Sequence, residues 1–174
     1  MNLKLKRKFD KLEKGRLELF SKLERIDTNL LMKKPTEVKW SIIQILFHLF
    51  KSEQLSIISI KHTITKNKNI KNSNILSHFR GLVLMLALST NFKFKAPQNV
   101  AVIPDNGSLN DLQIKWDKVR KNLLEIIETT DEKILKSDIF SHPLAGKMNL
   151  NATINFMHSH FNHHKKQIIR YLSD

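Results

Sequence analysis

Residues 150–172 read LNATINFMHSHFNHHKKQIIRYL, a stretch with the spacing of a helix that buries one face. Its apolar side chains recur three, four or seven positions apart, at Leu150, Ile154, Met157, Phe161 and Ile168. A repeat close to 3.6 residues places such side chains on one side of a helix. The stretch therefore predicts a helix over 150–172 that packs against other elements.

The same spacing occurs at four other places in the chain. It predicts helices over 3–26, 41–65, 74–90 and 108–128. No segment shows the clean alternation of a strand, and Gly and Pro number only four each. The long connection at 91–107 suits a crossover or a lid over one end of a bundle. We therefore predict an all-α fold in a single domain over 1–174.

Two of these helices have local start signals. Ser41 precedes the second helix and Gln44 follows three residues later, which is the pattern of a capping box. Ser108 is expected to cap the helix at 108–128, with Asp111 near the positive end of that helix. Polar residues at these positions thus have a structural explanation that needs no function.

Four of the eight histidines fall within residues 158–164. At about 100° per residue, His164 lies about 40° from His160, at the edge of the apolar face. His163 lies about 60° to the other side, and His158 lies nearly opposite His160. Two imidazoles at positions i and i+4 are close enough to bind one metal ion. The pair is not the HExxH motif of zinc proteases, because Phe161 follows His160 where that motif has Glu.

A third histidine, His48, borders the apolar face of the helix at 41–65, beside Ile45 and Leu49. A histidine at such a place is commonly a hydrogen-bonded core residue. If the two helices are neighbours, however, His48 can join His160 and His164. Three imidazoles would then leave coordination positions open, as in catalytic metal sites.

The composition excludes some classes of function. The chain has no Cys, which rules out disulfides and a cysteine nucleophile. Its net charge is +14, carried by 24 Lys and only 6 Arg. Nucleic acid or another polyanion is one interpretation of this charge. A general drift in composition is the other, because base-reading sites favour Arg over Lys.

We expect neither a secretory signal nor a membrane span in this sequence. Its basic first residues lack the apolar core of a signal peptide. The apolar run at 81–88 is far shorter than the roughly 20 residues of a transmembrane helix. A cytoplasmic location is therefore expected.

Three segments together resemble the DinB-like (YfiT-like) family. Residues 40–49, WSIIQILFHL, resemble its WSxxxxxxHL segment, and residues 142–148, HPLAGKM, resemble its HPxxGxM/L loop. Residues 160–168, HFNHHKKQI, resemble the terminal HxxHHxxQI segment. The order of the segments also agrees, so the resemblance covers essentially the whole chain.

The resemblance implies an up-and-down four-helix bundle with an additional helix, commonly a homodimer. It implies a divalent ion, Zn or Ni, held by His48, His160 and His164. It also implies, for some members, a transferase or isomerase reaction that uses a low-molecular-weight thiol such as bacillithiol, mycothiol or glutathione.

Two functions are consistent with these observations. The first is a metal-dependent enzyme, a thiol-dependent transferase or a hydrolase, acting on an anionic small molecule. Asn162, His163, Gln44 and His142 are then candidates to orient ligands or handle protons. The second is a basic helical protein that contacts nucleic acid or another polyanion without catalysis. Aromatic residues are not interleaved with the lysine clusters, so no base-stacking surface is expected.

Overall fold

The computed structural model describes residues 2–66, 107–143 and 145–173. Within these ranges the chain forms six helices and one short hairpin. In chain order they are α1 (Leu3–Leu23), α2 (Thr28–Met32), α3 (Ile42–Lys66), α4 (Leu109–Thr129), α5 (Glu132–Lys136), β1 (Phe140–His142), β2 (Gly146–Met148) and α6 (Leu150–Ser173). The predicted all-α class is confirmed. None of the described helices is both long enough and apolar enough to span a membrane.

The starts of α3 and α4 follow their sequence signals. The backbone N–H of Ser41 donates to Gln44 Oε1 at 3.0 Å, and the N–H of Gln44 donates to Ser41 Oγ at 3.2 Å. Ser108 Oγ accepts from the N–H of Asp111 at 3.2 Å. Both predicted caps are confirmed, because capping depends only on residues within one turn.

The first predicted helix, over 3–26, is shorter in the structure and ends at Leu23. A new helix, α2, starts soon afterwards, where Asp27 accepts from the N–H of Asn29 at 2.8 Å. An aspartate N-cap of this kind begins a helix and so separates α2 from α1. The predicted helix at 74–90 lies outside the described residues, as does the connection at 91–107 apart from Gly107.

Within the described residues, the four long helices form a ring in which α1 contacts α4 and α6, and α3 contacts the same two. Side-chain pairs show that α1 and α6 run parallel. Lys8 donates to Asn155 near their starts, and Lys165 pairs with Glu18 near their ends. Because α1 and α3 contact the same two helices, they lie across a diagonal of the bundle from each other.

The other directions follow in the same way. On α3 and α4, Glu53 meets Trp116 and Lys61 meets Asn122, so these two helices run parallel. On α1 and α4, Arg16 meets Asp117 whereas Glu13 meets Arg120, so these two run antiparallel. In chain order the described long helices thus point up, down, down and up. Helices α3 and α6, which carry His48 and the pair of His160 and His164, therefore run antiparallel to each other.

The apolar interior of the bundle also contains a charge network of Glu13, Arg16, Glu53 and Arg120, to which the indole of Trp116 is hydrogen-bonded. Glu53, Arg16 and Arg120 are 1–3% exposed. Glu53 accepts from Arg120 Nη2 at 2.8 Å and from the indole N–H of Trp116 at 2.7 Å. Burial raises the pKa of the Glu53 carboxyl, and the charge of Arg120 opposes that rise. The network joins α1, α3 and α4.

A hairpin that the sequence analysis did not predict precedes α6. Its strands pair Phe140 with Met148 and His142 with Gly146. Gly146 has φ 71°, a conformation that favours glycine. Each strand is three residues long, too short for alternation to show in the sequence. Strand β1 packs on α3 and β2 on α6, so the hairpin lies against the two helices that carry the candidate site.

Candidate metal centre

The structure brings His48, His160 and His164 together between α3 and α6. One ring nitrogen from each lies within 4.8 Å of the others. The Nε2 atoms of His48 and His160 are 3.1 Å apart. The ring centroid of His164 lies 5.1 Å from that of His48 and 4.9 Å from that of His160. These are the three histidines that the sequence analysis selected.

Burial keeps two of the three imidazoles neutral. His160 is 9% exposed, and its pKa lies well below 6.5, mainly because of burial and further because of the other histidines. Burial, with the neighbouring His48, lowers the pKa of His164 to about 3. Neutral imidazole has a free lone pair, which is the form that binds metal ions.

The free nitrogen of His164 can be identified from its hydrogen bond. His164 Nδ1 lies 3.0 Å from Gln167 Oε1, and because that oxygen can only accept, Nδ1 carries the hydrogen. The lone pair is then on Nε2. Gln167 in turn donates from Nε2 to the hydroxyl oxygen of Tyr171 at 3.0 Å. Sequence reasoning assigned neither residue a role, although Gln167 is the Q of the HxxHHxxQI segment and the i+3 and i+7 positions from His164 place both on the same helix face.

Aromatic rings enclose two of the histidines. The half-buried Trp40 ring lies 5.0 Å from the ring of His48. Phe156 stacks on His160 at 5.4 Å, with an angle of 13° between the ring planes. Phe156 also contacts His142, with 4.5 Å between the ring centroids. The cluster is therefore walled by apolar surface, which limits access of water.

The four residues proposed to orient ligands or handle protons differ in their placement. His163 contacts the His164 ring at 5.1 Å, and His142 contacts Phe156. The Nδ1 atom of His142 accepts from the N–H of Ala145 at 3.2 Å, and burial lowers its pKa to about 4.

The other two candidates, Asn162 and Gln44, have hydrogen-bond partners outside the group of three histidines. Asn162 lies 3.2 Å from a ring nitrogen of His158, which is outside the group of three. The side-chain oxygen of Gln44 takes part in the capping box. The structure thus brings His163 and His142 close to the cluster and gives Asn162 and Gln44 other partners.

The donor set fits a divalent transition-metal ion. Three imidazole nitrogen donors suit Zn, Ni, Cu or Fe, and three is one fewer than a closed tetrahedral site requires. The sequence of α6 contains no Asp or Glu, and that of α3 contains only Glu53, which bonds to Arg120. Neither helix therefore adds a carboxylate to the group of three histidines, and an ion held by three uncharged ligands favours an anionic further ligand.

Fold and site together define a class of protein, an all-α bundle with a three-histidine cluster that can hold a metal ion. The chain belongs to the DinB superfamily, whose sequence model matches residues 11–168. It is similar to the uncharacterized protein YuaE of Bacillus subtilis (strain 168), with 26% identity over 154 residues, or 88% of this chain and 90% of YuaE. No solved structure gives a significant match.

Proposed function

We propose that this protein binds one divalent ion, Zn or Ni, through His48, His160 and His164, and acts as a metal-dependent transferase or hydrolase. The observation that carries the proposal is the cluster itself, with three ring nitrogens within 4.8 Å of one another. Membership of the DinB superfamily is compatible with such a site. Two of the imidazoles have lowered pKa values and are ready to bind a cation at neutral pH.

The chemistry that such an ion supplies is Lewis acidity, which favours the deprotonated form of a thiol or of water. The protein's own part is to hold the three nitrogens and to exclude bulk water with Trp40 and Phe156. A water-excluded site strengthens the attraction between a cation and an anionic nucleophile. Because no carboxylate of α6 competes for the ion, the open positions favour an anionic small molecule.

The nucleophile must come from outside the protein. The chain contains no Cys, so it cannot supply a thiolate itself. A low-molecular-weight thiol would serve a transferase, and water would serve a hydrolase. The net charge of +14 favours the approach of anionic thiols over neutral ones.

Metal analysis of the protein purified without a histidine tag tests the binding step. We expect about one divalent ion per chain, and we expect His48→Ala and His164→Ala each to abolish binding. His158→Ala is the matched control, because His158 lies on the same helix but outside the group of three. Equal losses from substitutions of His158, His160, His163 and His164 would indicate surface chelation and contradict the proposal.

The reaction is tested with a panel of small thiols and electrophilic acceptors, assayed with and without chelator. Turnover that requires both the metal and one thiol supports a transferase. Turnover that survives complete removal of the metal contradicts the proposed chemistry.

Binding of a polyanion is the second candidate. On α4, Lys115, Lys118 and Lys121 are all exposed and recur every three residues. Contacts of this kind bind phosphates without reading sequence, and they weaken as salt increases. A gel shift with duplex DNA or RNA at two salt concentrations tests this, and no shift at low salt would remove the candidate.

A further inference from the structure

We propose that Gln167 and Tyr171 are positioning residues that hold His164 with its Nε2 atom directed to the metal. The inference rests on the proposed function and extends it to two side chains to which the family resemblance gave no role, although Gln167 is the Q of the HxxHHxxQI segment. It concerns how the third imidazole is oriented before any ion arrives.

The geometry forms a chain of hydrogen bonds along one face of α6. His164 Nδ1–H donates to Gln167 Oε1 at 3.0 Å, and Gln167 Nε2–H donates to the Tyr171 hydroxyl at 3.0 Å. All three residues are partly buried, so water competes less for these bonds than at an open surface. The second bond orients the amide that makes the first.

His164 needs such a partner more than a typical surface histidine does. A neutral imidazole carries its hydrogen on either nitrogen, and only the other nitrogen can bind a metal. An acceptor on Nδ1 selects the form with the lone pair on Nε2, and it also limits rotation of the ring. Partners of this kind typically change metal affinity by 10- to 100-fold when removed.

The same helix offers a matched control. Asn162 also lies within hydrogen-bond distance of a histidine, His158, at 3.2 Å. That histidine is outside the group of three. A variant that loses the Asn162 amide therefore removes a similar contact on α6 without affecting the cluster.

Titration of the chelator-treated protein with Zn²⁺ and Co²⁺ measures the effect on affinity. We expect Gln167→Ala to raise the Kd about 10- to 100-fold. Gln167→Glu should restore binding, because its carboxylate accepts from Nδ1–H and the Tyr171 hydroxyl can turn to donate. Tyr171→Phe should cause a smaller loss, roughly two- to tenfold, and Asn162→Ala should leave the Kd within about twofold.

A second measurement needs no metal. Two-bond ¹⁵N–¹H NMR correlations of the metal-free protein at pH 7.5 report which nitrogen of His164 carries the hydrogen. We expect the hydrogen on Nδ1 in the wild type and in Asn162→Ala, and a mixture of both forms in Gln167→Ala. A purely structural role for Gln167 would leave this signature unchanged.

The outcomes separate the two proposals. If the wild type binds a divalent ion but Gln167→Ala binds equally well with the hydrogen still on Nδ1, the positioning role is wrong and the metal site stands. If the wild type binds no divalent ion, the proposed function is wrong, and the NMR signature alone then decides whether Gln167 orients His164.

Discussion

Replacing Glu53 by Gln should destabilise the protein strongly, because the change leaves the Arg120 guanidinium buried without its close counter-charge. The two side chains are 3% and 2% exposed, and their charged atoms are 2.8 Å apart. At an effective dielectric constant of about 20, the attraction between unit charges at this distance is about 6 kcal/mol. Gln retains an oxygen that can accept from Trp116, so the substitution removes mainly charge.

The net loss should be smaller than the attraction, because Glu53 itself no longer has to be desolvated. Breaking one partner of a buried pair typically costs about 3–5 kcal/mol. For a chain of this size that corresponds to a fall in Tm of about 6–20 °C. Urea unfolding of the chelator-treated protein measures the free energy directly, and an unchanged m-value shows that only stability has changed.

Two variants test the reasoning behind this magnitude. Glu125→Gln removes the carboxylate of the exposed pair with Lys61, whose charged atoms are 3.0 Å apart, and should cost less than about 1 kcal/mol. The double variant Glu53→Gln with Arg120→Met removes both buried charges and should be more stable than Glu53→Gln alone. A Glu53→Gln loss no larger than that of Glu125→Gln, or a double variant no better than the single, would refute the argument.

Three further predictions concern pH, the hairpin and assembly. The pKa values of His164 and His142 lie at about 3 and about 4, below the value of about 6.5 in an unfolded chain. The free energy of unfolding is therefore highest above about pH 6.5 and falls as the pH drops toward those values. Urea unfolding of the metal-free protein should give a lower free energy of unfolding at pH 5 than at pH 7.5. The difference should be smaller in His142→Gln, and equal values at the two pH values in the wild type would contradict the prediction. Gly146→Ala should destabilise by about 1 kcal/mol because φ is 71°. By contrast, Gly15→Ala within α1 should stabilise the protein by about 0.5–1 kcal/mol, because Ala is favoured over Gly inside a helix. The added Cβ would lie at an acceptable 3.4 Å from Phe161 Cε1. Thermal unfolding that gives both glycine substitutions the same sign would contradict this reasoning. The family resemblance predicts a homodimer, and light scattering that finds a monomer at micromolar concentration would remove that prediction alone.

Some of the candidate site could be predicted because it lies within one helix. His160 and His164 are four residues apart, so any helix over this stretch places them side by side. Their position at the edge of the apolar face also predicted burial between neighbours. The capping pairs at Ser41 and Ser108 were predictable for the same reason, since each involves residues three positions apart.

Other parts of the site required the fold. Gln167 lies three residues after His164, but several other polar side chains of α6 are equally close to His164 in sequence. Which of them bonds to the imidazole depends on side-chain rotamers that packing selects. The candidates from sequence were Asn162, His163, Gln44 and His142. The structure places His163 against His164 and His142 against Phe156, whereas Asn162 bonds to His158 and Gln44 to the N-terminus of α3.

The sequence by itself determined the helical class, the position of most long helices and the pair of histidines on α6. Those features depend on periodicity and on contacts within a turn or two of helix. Only the tertiary structure decided that His48 meets that pair, and that Arg16, Glu53 and Arg120 lie in the interior rather than on the surface. The physical reason is that contacts between helices depend on their rotation and register, which the packing of the whole core determines and no single helix encodes.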